Sequence, residues 1–174
     1  MNITVLHGED AAEDPVLGQI TAALAAAGPE PTALAIDRDV GGLVGSLGER
    51  SPELVFNLAE SFAGVSALEA SVAGLLNLLG LRYTGSSPSG LMLAGDKSLT
   101  KKVLSFHGVP TPAFATVYRG ALDSAGDLDF PLIVKPPQED ASIGLTGASV
   151  VHDLKQLLER MSALQAEFNG PVLV

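Results

Sequence analysis

Strand and helix alternate through the first half of the chain, and this pattern limits its folds more than any other feature of the sequence. The apolar run "ITVL" reads as a strand at residues 3–6. "DPVLGQITAALAAAG" reads as a helix, with Asp14 as its cap, Pro15 in its first turn and Gly28 just past its end. "TALAID" is a second strand, at residues 32–37. "VGGLVGSLGER" is a weaker helix, because each interior glycine costs about 1 kcal/mol relative to alanine. "ELVFNL" is a third strand, at residues 53–58, and residues 65–79 form an apolar helix ended by Gly80. "RYTG", at residues 82–85, reads as a short fourth strand. Alternation of this kind predicts an α/β domain, a parallel Rossmann-like sheet with helices on its faces. Such sheets take ligands in the crevice at the carboxyl ends of their strands.

The alternation stops after Gly85. Two short helices are predicted at residues 88–94 and 96–106, then a linker marked by Pro110 and Pro112, then a strand at residues 113–118. "FPLIVKP" and "GASVVH" read as two antiparallel strands around a polar loop, and "DLKQLLERMSALQAEF" as an amphipathic helix starting at Asp153. This places a boundary near residues 108–112. It divides the chain into an amino-terminal α/β domain (1–86), linker helices (87–112) and a separate antiparallel lobe (113–174). "PVLV" at residues 171–174 begins one more strand. An apolar strand needs a sheet around it, so it reads either as the interruption of a larger fold or as a terminal strand on the lobe's own sheet.

Composition narrows the function. The chain of 174 residues is 47% hydrophobic, enough for a packed core, and carries a formal net charge of −10. That balance argues against nucleic acid or an anionic membrane as partner, since both require a basic face. Disulfides and thiolate metal sites are excluded because there is no cysteine. His7, His107 and His152 show no metal-ligand spacing. The amino terminus lacks the basic-then-apolar pattern of a signal peptide, and no apolar run approaches membrane-spanning length. The expectation is a cytoplasmic globular protein that acts on small molecules.

Lys135 closes an apolar strand and is followed at once by "QEDASIG", a loop with small residues at Ala141, Ser142 and Gly144. A lysine ammonium is a compact cation for phosphate oxygens, and small loop residues let backbone amides approach a phosphate. The same residues also fit a lysine snorkelling beside an ordinary hairpin. In "GDKSLTKKVL", Asp96 fits a helix cap with Lys97 in the first turn, where a cation opposes the helix dipole unless an anion is near. Lys101 and Lys102 read as a solvated basic face.

As a set, "VFNLAE", "GLLNLLGLRYTGSSPSGLMLAGDKSLTKKVL", "GVPTPAF" and "FPLIVKPPQEDASIG" resemble, in order and spacing, the amino-terminal half of the D-alanine–D-alanine ligase group of the ATP-grasp superfamily. The resemblance covers most of residues 55–144 and is looser at "VLHGEDAAED". It implies a pre-ATP-grasp α/β domain followed by the first, antiparallel lobe of an ATP-grasp domain. It further implies an ATP-dependent carboxylate–amine ligase acting through an acyl phosphate, as in peptidoglycan biosynthesis. ATP and Mg²⁺ are the implied cofactors, with the metal ligands outside this chain, and amino acids the substrates. By position, Lys97 and Lys135 would contact nucleotide phosphates. Residues 139–144, including Glu139, Ser142 and Gly144, would form the loop that closes over them and is mobile without nucleotide. Glu13 would stand near the first amino acid.

The departures from the pattern bear on the substrate. Glu9 and Ala11 replace a glycine and a serine of the family's first loop, and Asp140 and Ala141 replace glycine and serine in the phosphate loop. "ESFAGVSALEAS" lacks the His-Gly and Glu-Asp-Gly elements, although Glu69 offers a carboxylate there. "FNLAE" with "LEAS" is closer to divergent ligase-like members. Two alternatives therefore stand beside the ligase: a ligase-like protein joining other amino acids or peptides, and a non-catalytic nucleotide-binding or dimerisation module. The helix at residues 65–79 offers either a core face or a homodimer interface. The resemblance also implies that the family's adenine-binding hinge, catalytic arginine and acidic metal ligands lie beyond the sequence in hand. The 174 residues alone are then expected to be inactive, with "PVLV" left as an unpaired edge.

Overall fold

The computed structural model describes residues 1–9, 15–118, 121–122, 128–139 and 142–174. The chain forms two compact units, Met1–Met92 and Leu93–Val174. Of the two helices expected between the domains, α4 (Pro88–Ala94) falls mainly in the first unit and α5 (Lys97–Phe106) in the second.

In the first unit, β1 (Asn2–Gly8) lies between β2 (Glu30–Ile36) and β3 (Leu54–Leu58), and all three are parallel. The middle strand is buried from Ile3 to His7, without the in-out alternation of a one-sided sheet. That is the pattern of a strand covered on both faces. Leu6, Ile36 and Val55 from the sheet pack with Leu43 and Leu47 of α2 (Val40–Arg50) and Val72 and Leu76 of α3 (Glu69–Leu78). Despite its glycines α2 is complete, because buried Leu43 and Leu47 stabilise it through packing rather than propensity. After α1 (Pro15–Ala26) the chain returns to β2; the expected cap Asp14 lies outside the described residues. The apolar helix begins with a 3₁₀ turn at Ser66–Leu68 and ends at Gly80, whose φ of 67° is the left-handed conformation that favours glycine.

The expected fourth strand at residues 82–85 is reduced to one parallel bridge between Val55 and Tyr83. Val55 donates to the Arg82 carbonyl at 2.8 Å and Thr84 donates back to Val55 at 3.0 Å. The next amide, that of Asn57, donates to the Thr84 hydroxyl at 3.0 Å, so a side chain takes the donor that a longer ladder would have used.

The second unit is antiparallel, and no sheet joins strands from both halves among the described residues. One sheet has the order β5 (Ala121–Leu122), β4 (Thr116–Tyr118), β8 (Val172–Leu173). A second pairs β6 (Leu132–Ile133) with β7 (Val150–Val151). Beyond β6 the chain crosses from one sheet to the other. Val134 donates to the Ser149 carbonyl at 2.8 Å, and Lys135 then exchanges two 2.9 Å backbone hydrogen bonds with Leu173. "PVLV" is therefore not an unpaired edge: β8 has β4 on one side and Lys135 on the other. Val117, Val134, Val151, Val172 and Leu164 of α6 (Leu154–Phe168) form the core of this unit.

Candidate functional site

Two constellations carry chemistry, one in each unit. In the second unit Asp96 caps α5. One of its carboxylate oxygens accepts from the Ser98 and Leu99 amides at 2.9 Å, and the other accepts from the Gln138 side-chain amide at 3.1 Å. Lys97 follows in the first helical turn. Its backbone N–H donates to the Pro137 carbonyl at 3.0 Å and its Nζ to the Glu139 carbonyl at 2.6 Å. The helix start is thus tied to the segment that leaves Lys135, and the two lysine-bearing stretches, distant in sequence, form one structure. Lys97 and Lys135 are both half-buried.

The loop after Lys135 is described at Glu139 and from Ser142 onward; Asp140 and Ala141 lie outside the described residues, so the expected mobility of the whole loop does too. Ser142 sits at φ 64° and Gly144 at φ 73°. A Cβ on Gly144 would stand 2.9 Å from both Phe168 Cε2 and Pro136 Cγ, so only glycine fits where the loop passes α6. Arg160 donates from Nη2 to the Gly144 carbonyl and, at 3.2 Å, to the Ser149 hydroxyl. Sequence reasoning missed this anchor because Arg160 looks like any polar residue of an amphipathic helix.

Lys101 departs from the solvated face expected of it. It donates to the Pro112 carbonyl at 3.0 Å and lies 5.1 Å from the centre of the Phe114 ring. Burial, and after it the charge of Lys135, holds its ammonium below the usual lysine range. Lys102 lies 6.0 Å from the centre of the Tyr118 ring.

In the first unit a cavity of about 650 Å³ opens at the carboxyl ends of the parallel strands, where such sheets place ligands. Its wall includes His7, Glu9, Arg38, Asn57, Glu60 and Glu69. Glu13, the carboxylate implied for the first amino acid, lies outside the described residues. Of the wall residues only Glu69 had been singled out as a carboxylate near the site. The available signal was position: His7, Arg38 and Glu60 stand at or just past the ends of three apolar strands. Among the described residues no group of three or more His, Cys, Asp or Glu is arranged to hold a metal ion. No described helix is long and apolar enough to cross a membrane.

No protein-family model matches the chain. Over 89 residues it is 44% identical to a D-alanine–D-alanine ligase of Syntrophotalea carbinolica, covering 51% of this chain and 28% of that protein. Over 149 residues it is 34% identical to a D-alanine–D-alanine ligase of Novosphingobium aromaticivorans, covering 83% of this chain and 46% of that protein. It is also 39% identical over 125 residues to the uncharacterized protein y4sG of Sinorhizobium fredii, covering 72% of this chain and 36% of that one. The chain thus spans less than half the length of these relatives. Its fold matches a Bacillus anthracis D-alanine–D-alanine ligase solved with ATP, at a TM-score of 0.70 and 22% identity, covering 99% of this chain and 57% of that one. A Helicobacter pylori D-alanine–D-alanine ligase matches at a TM-score of 0.67 and 20% identity, covering 99% of this chain and 65% of that one.

Proposed function

From the premise that this chain is related to the amino-terminal portion of the D-alanine–D-alanine ligase group, we propose that it is the corresponding part of an ATP-dependent carboxylate–amine ligase. The observation that most supports this reading is the joining of the α5 start to the segment after Lys135, through the Lys97 contacts to Pro137 and Glu139. The arrangement holds two lysines near one glycine-containing loop, as binding a polyphosphate requires. In the proposed reaction ATP phosphorylates a substrate carboxylate. The amine of a second amino acid then attacks the acyl phosphate and expels phosphate. Lys97 and Lys135 hold the phosphates, with Glu139, Ser142 and Gly144 in the covering loop, and Glu13 stands by the first amino acid. Mg²⁺ would spread the charge of the transferring group; its ligands belong to residues outside this sequence.

On this reading residues 1–86 are the pre-ATP-grasp domain, 87–112 the linker helices and 113–174 the first ATP-grasp lobe. The protein works in the cytoplasm. Exposed Leu68, Leu78 and Leu79 near α3 supply the apolar face of a homodimer, which sedimentation equilibrium tests. The divergent first loop and the mixed charges of the strand-end cavity favour a second reading of substrate: an amino acid or peptide other than D-alanine. The deciding experiment is an ADP-release assay on a version of the protein as long as its relatives, with D-alanine and a panel of D- and L-amino acids and dipeptides. Amino-acid-dependent ADP release is expected. ATP binding without any amino-acid-dependent turnover would replace the ligase reading with that of a nucleotide-binding module.

A further inference from the structure

We infer that Arg160 is a positioning residue for the nucleotide phosphates. Its guanidinium fixes the arm at residues 142–149, and so sets where Ser142 and Gly144 stand when they cover the phosphates in the proposed reaction. The ligand in this inference rests on the nucleotide reading; the role of Arg160 comes from the geometry of α6. Arg160 stands on α6 and is half-buried. From Nη2 it donates to the Gly144 carbonyl and, at 3.2 Å, to the Ser149 hydroxyl. Both acceptors belong to the arm. Ser149 is 3% exposed, and its hydroxyl also accepts from the Thr146 amide at 3.0 Å. Its carbonyl accepts from the amide of Val134, the neighbour of Lys135, at 2.8 Å. Arg160 thereby links the two ends of the arm, and Ser149 carries the link on to the strand that holds Lys135.

The conformation of the arm requires an anchor. Ser142 and Gly144 both have left-handed φ, 64° and 73°. Serine is unfavourable there, and such a conformation persists only where its surroundings hold it. Leu145 donates to the Ser142 carbonyl at 3.0 Å and Ala148 to the Thr146 hydroxyl at 3.2 Å, bonds that shape the arm from within. The Arg160 bonds attach it to α6, whose Leu164 lies in the core. Packing alone is a poor reason for an arginine here. Its Nε is buried without a hydrogen-bond partner, and its two acceptors, a carbonyl and a hydroxyl, leave its charge without a counterion among the described residues. An apolar side chain at this place on α6 would carry neither cost. It would also lack the planar guanidinium that reaches both acceptors together.

The test uses a version of the protein as long as its relatives. ATP and adenosine are titrated calorimetrically into the wild type, Arg160→Gln, Arg160→Lys and Lys135→Ala. Arg160→Gln should weaken ATP about three- to tenfold and leave adenosine binding unchanged, since only phosphates meet the arm. A merely structural role would lower both affinities together, or neither. Arg160→Lys keeps the charge but ends one bond short of Nη2, and should weaken ATP by a similar factor. Hydrogen exchange in Arg160→Gln should quicken at Leu145 and Thr146, whose amides bond within the arm. Undiminished ATP affinity in a folded Arg160→Gln protein overturns the inference. So do equal losses for ATP and adenosine, or full ATP affinity in Arg160→Lys, which would make charge rather than geometry the cause. Should Arg160→Gln not fold, Arg160→Lys decides. A loss of ATP affinity in Lys135→Ala beside undiminished Arg160 variants removes this inference and leaves the nucleotide reading standing; a wild type that binds no ATP removes both.

Discussion

A single hydrogen atom separates glycine from alanine, and at residue 144 it decides whether the loop can pass α6. Gly144→Ala meets two obstacles, a φ of 73° and neighbours 2.9 Å away on Phe168 and Pro136. We predict a loss of about 1–3 kcal/mol, measured by urea titration of the 174-residue protein; unchanged stability would show that the loop sits elsewhere. The lysines separate by role at the same scale. In a version as long as the relatives, Lys97→Ala and Lys135→Ala should each weaken ATP about ten- to a hundredfold, the usual effect of losing one charge-assisted contact. Lys101→Ala should instead act on stability. It removes the bond to the Pro112 carbonyl and the contact with Phe114, each of order 1 kcal/mol or less. Equal ATP affinity in the wild type and the Lys97 and Lys135 variants would remove the phosphate assignment.

At the scale of an element, α5 depends on one residue that does two jobs. Asp96 caps its first turn through the Ser98 and Leu99 amides and also accepts from Gln138, on the segment that follows Lys135. Asp96→Ala is expected to cost about 1 kcal/mol for the cap. It should also speed hydrogen exchange at Ser98 and Leu99 and at Lys97, whose N–H bonds to Pro137. Exchange that quickens at Ser98 and Leu99 alone would mean that the tether does not depend on the cap. β8 is the other element on which much rests. Its two residues are fully buried and hydrogen-bonded on both sides, so they join the two small antiparallel sheets.

For the whole molecule the relevant fact is that the chain spans under half of its sequence relatives. On the proposed reading it supplies the phosphate-holding lysines and a substrate cavity, and the charge-spreading metal site lies outside it. Arginine-type electrostatic contributions alone are worth roughly 10³- to 10⁵-fold in phosphoryl transfer. The 174 residues by themselves should therefore give no amino-acid-dependent ADP release above background. Turnover near the rate of the longer protein would move the active site entirely into this chain.

Local features were legible because their partners lie within a few residues. The alternation of strand and helix foretold the parallel sheet, and Asp96 and Asp153 were readable as caps because a cap bonds an amide two or three residues on. "ITVL" was readable as a strand, but the burial of β1 from Ile3 to His7, polar Thr4 and His7 included, was not. What the tertiary structure alone decided involves residues that loop closure must bring together. The Lys97 ammonium meets the carbonyl of Glu139, Arg160 holds the Gly144 carbonyl, and "PVLV" lies between β4 and Lys135. Nothing near His7 in sequence tells that it shares a cavity wall with Arg38, Glu60 and Glu69. That follows from where three strands end, since a parallel sheet gathers at one edge residues that its crossover connections keep far apart along the chain.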